Sequence, residues 1–142
     1  MTTTAIDSLH NVHTATNDVL KGYREMSARA KPDIQLVIGR LSDMHEHHAA
    51  EQAAALINLQ EPGKDDSSLQ GTVNKVVVIL RDWVTNLDRE VLPAVREGEE
   101  ALCKEYDKAL QNGLVSENSS VAELLKTQRR SISSEIARLP QN

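Results

Sequence analysis

Between residues 42 and 52 the chain reads SDMHEHHAAEQ, which places three histidines and two glutamates within seven positions, 45–51. Imidazole nitrogens and carboxylate oxygens are the donors that iron, manganese and zinc take from proteins. If the stretch is helical, geometry sorts these side chains. His45 and His48 share a face at a spacing of three, as do His48 and Glu51. His47 points about 160° away from His45, so the three histidines cannot bind one ion. His47 is expected in solvent, within reach of Glu51 one turn on.

Other helical stripes carry polar residues where apolar ones belong. Glu99 stands between Val95 and Leu102; Gln128 and Glu135 interrupt a stripe of Val121, Leu125, Ile132 and Leu139; Thr16 and Tyr23 interrupt another. Burying such groups costs several kcal/mol unless they are paired or metal-bound, so their recurrence needs a reason. One reason is a metal centre made of His45 or His48 with Glu51, Glu99 and Gln128, a donor set suited to Fe, Mn or Zn. The other is a set of structural polar groups hydrogen-bonded to one another. Di-metal bundles present Glu from two helices and Glu-x-x-His from two more. No Glu-x-x-His occurs anywhere in this sequence, and the segment after residue 119 has no histidine. The structural reading therefore leads, and redox or metal-handling chemistry is the alternative.

The elements that must position these groups are helices. Leu9, Val12, Thr16, Val19, Tyr23, Met26 and Ala30 step by three and four, defining one face of a first helix over about 4–30, with Thr4 and Asp7 as its cap. Pro32 closes it and suits the first turn of a second helix, about 32–60, with Val37, Leu41, Met44, His48, Ala55 and Leu59 inward and His45, Glu51 and Gln52 at the margin. The turn-rich EPGKDDSSLQG is followed by a valine-rich segment whose spacing predicts a short crossover helix over about 72–87, including Trp83. A third helix follows over about 88–112, with Leu92, Val95, Glu99, Leu102, Tyr106 and Ala109 inward, stopped by Asn112-Gly113. Ser120 and Glu123 form a capping box for a fourth, about 120–139. A crossover helix of about 16 residues spans roughly 24 Å, so the third helix can run parallel to the second. The expected fold is all-α: one four-helix-bundle domain over 1–142 with a long second-to-third crossover.

Bulk composition agrees and narrows the function classes. Aromatic residues are 2% with no Phe, so the core is aliphatic, as packed helices prefer. A net charge of −5 without a basic stripe argues against nucleic acid as a partner. A single cysteine, Cys103, allows no internal disulfide and fits a reducing compartment. It lacks the basic neighbourhood that would activate it. No apolar run reaches membrane-spanning length and the N-terminus lacks a signal-peptide pattern, so a cytoplasmic location is expected. His10 and His13 are expected as surface residues flanking the first stripe.

Four stretches carry a family resemblance: KGYREMSARAKPDIQ, HEHHAAEQ, GTVNKVVVILRDW and LDREVLPAVREGEEALCKEYDKAL. In order and spacing, from about residue 6 to 138, the chain resembles the bacterial ferritin-like four-helix-bundle proteins catalogued as a domain of unknown function. The resemblance implies a ferritin-like fold in which Tyr23, Glu51, Glu99 and Tyr106 match the family pattern, and it implies no activity. The histidine-rich HEHHAAEQ departs from that pattern, so a metal site there would be particular to this chain. The function expected is a non-enzymatic bundle that self-associates or binds a protein partner.

Overall fold

The computed structural model describes residues 5–59, 89–111 and 118–139. The crossover helix with Trp83, the Thr4 cap and the Asn112-Gly113 stop lie outside these residues. Four helices make up the described chain: α1 (Ala5–Ser27), α2 (Pro32–Asn58), α3 (Leu92–Gln111) and α4 (Ser119–Ala137), with a one-turn 3-10 helix at Arg89–Val91 leading into α3. No strand occurs among the described residues.

Each helix forms for the reason its apolar spacing gives, and each end has a local cause. α1 buries Leu9, Val12, Ala15, Val19, Tyr23 and Met26 on one stripe. It stops at Ser27 because Lys31 precedes Pro32 and takes an extended conformation (φ −67°, ψ 158°). The α1–α2 corner is tightened by Arg29 N–H donating to Met26 O at 2.9 Å. Gln35 Nε2, reaching back from the first turn of α2, donates to the Ser27 carbonyl at 2.9 Å. Proline at the start of α2 gives up no hydrogen bond there, and Asp33 in the same turn favours the positive end of the helix dipole. α4 starts earlier than the Ser120–Glu123 pattern suggests. Asn118 is its N-cap, and its side-chain oxygen accepts from Val121 N–H at 3.1 Å.

α1 packs against α2 and α3, and α3 packs against α4; α2 meets α4 more sparsely. That looser seam holds two clefts. One of about 450 Å³ is lined by Met44, Thr127, Ser131 and Ser134, and one of about 310 Å³ by Ala55, Leu59, Val121 and Leu124. Helix directions follow from side chains that meet across the core. Tyr23, His45 and Glu99 are joined at one level, and Thr16, Gln52 and Tyr106 at another. Residue numbers fall along α1 while they rise along α2 and α3, so α2 and α3 run parallel and α1 opposes both. Arg40 Nε meets Glu135 Oε1 at 2.9 Å near the Tyr23 end, so α4 opposes α2.

The phase of α2 differs from the one its apolar residues suggest. Ile34, Ile38, Leu41, His45, His48, Gln52 and Leu56 are buried. Val37, Met44, Ala55 and Leu59 are only partly covered, and pack against the core edge. The helix is turned by about 50°, half a residue's rotation, which seats Ile34 and Ile38 in the core and brings His45 and Gln52 to its centre. Burying these two polar side chains is tolerated because α1, α3 and α4 supply their hydrogen-bond partners. On α1, α3 and α4 the expected stripes are the buried ones, with Glu135 half-buried at the margin.

Candidate functional site: two buried polar layers

Six residues with polar groups inside the bundle sort into two layers seven residues apart along the chain: Thr16 and Tyr23, His45 and Gln52, Glu99 and Tyr106. Seven residues of helix rise about 10 Å, so the layers are stacked along the bundle axis rather than merged.

The first layer is an acid held by two donors. Glu99 has no solvent exposure; neither do Tyr23 and His45. The Tyr23 hydroxyl donates to Glu99 Oε2. His45 Nε2 lies 3.0 Å from Oε1 and 2.9 Å from Oε2 of the same carboxyl group. With the acid acting as acceptor, Nε2 is the donor, and the other ring nitrogen, Nδ1, takes no part in the pair. That Nδ1 is buried without a hydrogen-bond partner, as is His48 Nδ1. The two imidazoles stand edge to face with centroids 6.1 Å apart. Burial, then the charge and hydrogen bond of Glu99, push the Tyr23 phenol well above its ordinary pKa, so it remains a donor. Burial, then His45 and, less strongly, His47, lower the His48 pKa to about 4 against the opposing pull of Glu51 and Glu99. His48 is a neutral ring at pH 7.

The second layer is made of amides and hydroxyls. Gln52 Nε2 donates toward Gln128 Oε1 at 2.9 Å, Tyr106 Oη at 3.0 Å and Thr16 Oγ1 at 3.2 Å. Its carbonyl accepts from His13 Nδ1 at 3.1 Å. Tyr106 donates on to Gln128 Oε1 at 3.0 Å. Gln128 Nε2 donates to the His48 carbonyl at 3.2 Å and to Glu51 Oε1 at 3.1 Å. The network therefore runs from buried Gln52 to exposed Glu51 on the rim of α2. Burial also raises the Tyr106 phenol.

The five sequence candidates are thus divided. His45 and Glu99 are brought into direct contact. Gln128 and Glu51 are brought together in the other layer, and His48 lies between, linked to Gln128 through its backbone. Among the described residues no group of three or more His, Cys, Asp or Glu side chains is placed to hold a metal ion. Two participants escape a reading by stripes. Gln52 is the hub of the second layer rather than a margin residue, and His13 is its partner from α1. His13 sits one residue beyond Val12 on the stripe, and only the identity of Gln52 across the seam signals its role. His10, expected at the surface, is buried. Its neighbour Leu9 fills the stripe, so the helix buries a wider arc at this end. His47 is exposed, as its angle requires.

Cys103 is buried at the α3–α4 seam, beside a cleft of about 420 Å³ that also meets Asp107, Arg129 and Ser133. Burial raises its thiol pKa, so it is a poor nucleophile at neutral pH. Arg129 is turned to Asp107, with two bonds of 2.6 and 3.1 Å. No described helix is long and apolar enough to cross a membrane.

No curated protein and no solved structure matches the chain. A family model described as a domain of unknown function, DUF2383, matches residues 4–112, which hold α1, α2 and α3 with both tyrosines, His45, Gln52 and Glu99; the chain belongs to that family.

Proposed function

We propose that this is a ferritin-like bundle whose polar core is structural, and that it acts as a non-enzymatic protein through association, with itself or with a protein partner. The observation that carries this reading is the state of Glu99. The one carboxyl group sunk fully among the described helices is already engaged by Tyr23 and His45. The level below it offers amides in place of acids. A metal cation needs deprotonated donors converging on one point. Here the acid, the imidazoles and Glu51 are spread over two layers, with Glu99 engaged by Tyr23 and His45 and Glu51 by Gln128. The parallel run of α2 and α3 supports the ferritin-like topology, because a second-to-third crossover is what that topology requires.

A second reading has one observation in its favour. His45 and His48 each keep a buried, unpartnered Nδ1 on neighbouring turns of α2. A divergent Fe, Mn or Zn centre for redox or metal handling would draw on these with Glu51, Glu99 and Gln128. As arranged, those side chains do not fit it without repacking.

Elemental analysis of untagged protein, purified without chelator and again after anaerobic Fe(II) and Mn(II) loading, separates the two. The structural reading expects metal at background in wild type and in His48→Ala. Stoichiometric metal that is lost in His48→Ala and in Glu99→Ala overturns it.

A further inference from the structure

We infer that the outward face of α2 is a self-complementary surface on which a second copy of this chain docks, the two α2 helices antiparallel about a two-fold axis near residues 45–47. The inference specifies the associating surface of the reading above and rests on it.

Two large apolar side chains are strongly exposed among the described residues: Leu36 at 77% and Ile57 at 65%. Both are on α2, near opposite ends. Between them runs an unbroken spacing of four and three: Leu36, Arg40, Asp43, His47, Ala50, Ala54, Ile57, all of them exposed. A three-four repeat keeps one seam facing a partner helix along its whole length, which is the pattern of a coiled-coil pair. Among the described residues no packing with another helix uses this seam apart from the Arg40–Glu135 pair, because α2 turns the opposite side to α1 and α4.

The occupant follows from symmetry and charge. Leu36 and Ile57 are equally far from the middle of the stripe. In an antiparallel pair each Leu36 therefore meets the Ala54–Ile57 turn of the other copy, at both ends at once, as a two-fold contact demands. The same register brings Asp43 of each copy level with Ala50 of the other and within one turn of its His47, an acid and an imidazole facing each other on both sides of the axis. Ala50 and Ala54 are small enough to let the helices approach. The whole chain has a net charge of −5, which opposes self-association over most faces. This stripe carries one cation and one anion, Arg40 and Asp43, and so no net charge of its own, with Arg40 drawn aside to Glu135. From Leu36 to Ile57 the seam is about 31 Å long, and with flanking residues a helix pair of that length buries on the order of 1,000 Å² in total. That is the low end for a specific interface, so a reversible dimer of micromolar affinity is the outcome to look for.

Sedimentation velocity on the full chain from about 5 to 500 µM tests this, because that range brackets a micromolar dissociation constant. The expected result is a shift from monomer to dimer mass, weakened at least tenfold by Ala54→Glu and untouched by Ala137→Glu on the exposed side of α4. In a Cys103→Ala background, His47→Cys lies near the proposed axis and is expected to give a disulfide-linked dimer on oxidation, whereas Asp33→Cys is not. A monomer across the whole range, a dimer indifferent to Ala54→Glu, or equal cross-linking at positions 33 and 47 overturns the inference. A metal-free monomer sinks the docking surface and leaves the structural reading of the polar layers standing; stoichiometric metal sinks that reading whatever the mass.

Discussion

Tyr23→Phe removes one oxygen atom and leaves the ring in place, which makes it the cleanest probe of the first layer. The ring is fully buried, so no solvent replaces the lost hydroxyl. Glu99 then keeps His45 Nε2 as its remaining donor at 2.9 Å. A hydrogen bond to a charged acceptor contributes about 1.5–3 kcal/mol, and a buried acceptor deprived of it bears the desolvation cost. The expected destabilisation is therefore about 2–3 kcal/mol, or roughly 6–10 °C in Tm for a chain of this length. Tyr106→Phe is the internal control. Its hydroxyl bonds neutral groups only, and Gln52 Nε2 still reaches Gln128 Oε1 and Thr16 Oγ1 at 2.9 and 3.2 Å. It should cost about 1 kcal/mol. Urea unfolding at pH 7 followed by far-UV circular dichroism, at one low protein concentration, measures both, with unchanged slopes expected. A cycle with Glu99→Gln should show coupling to Tyr23→Phe above about 1 kcal/mol. If Tyr23→Phe costs less than about 0.5 kcal/mol, or no more than Tyr106→Phe, the acid does not depend on the phenol and the account of this layer fails.

Two further outcomes follow from single positions. His48 has a folded pKa of about 4 against 6.5 for the free side chain, so between these values the unfolded chain binds more protons. Its contribution is complete above pH 6.5 and is lost as pH falls towards 4, by up to about 3 kcal/mol; His48→Leu should make the stability profile across that window flatter, and an unchanged slope refutes the assignment. Gly39 lies inside α2, and a methyl group added to it meets nothing within 4 Å. Gly39→Ala should stabilise the protein by about 0.5–1 kcal/mol in thermal unfolding, through the lower entropy of the unfolded chain; a loss of stability would mean that this side of α2 is already covered.

How much of this was written in the sequence depends on the helix. On α1, α3 and α4 the apolar residues outnumber the polar ones on the inward face, so the phase is unambiguous, and Glu99 and Gln128 stand out as exceptions. On α2 two faces compete. Val37, Met44, Ala55 and Leu59 offer an apolar stripe, while the buried one carries His45, His48 and Gln52. What decides between them is Glu99, Tyr106 and Gln128, which lie on other helices and are invisible to any reading of α2 by itself. The pairing of His45 with Glu99 is likewise a product of register between α2 and α3. His13 and Gln52 were hidden for the same reason, since a polar residue beside a stripe looks like its margin until its partner is known. At the start of α4, Ser120 and Glu123 have the spacing of a capping box, but Asn118 takes the cap by accepting from Val121 N–H and begins the helix two residues sooner.

The stacking of two unlike layers also bears on which bundle the chain does not become. Aliphatic residues packed between helices are nearly indifferent to helix direction: a Leu stripe read upward or downward fills the same space. The layers are not. Were α3 reversed, Glu99 would come level with Gln52 and Gln128, and Tyr106 with Tyr23 and His45. The acid would lose its phenol and imidazole donors, and two hydroxyls would compete for one ring. The alternative topology keeps its oily interior and forfeits its polar pairings, so the up-and-down isomer is disfavoured by the very groups that contribute least to net stability. In this protein the aliphatic residues make a bundle, and a handful of hydrogen bonds determine which one.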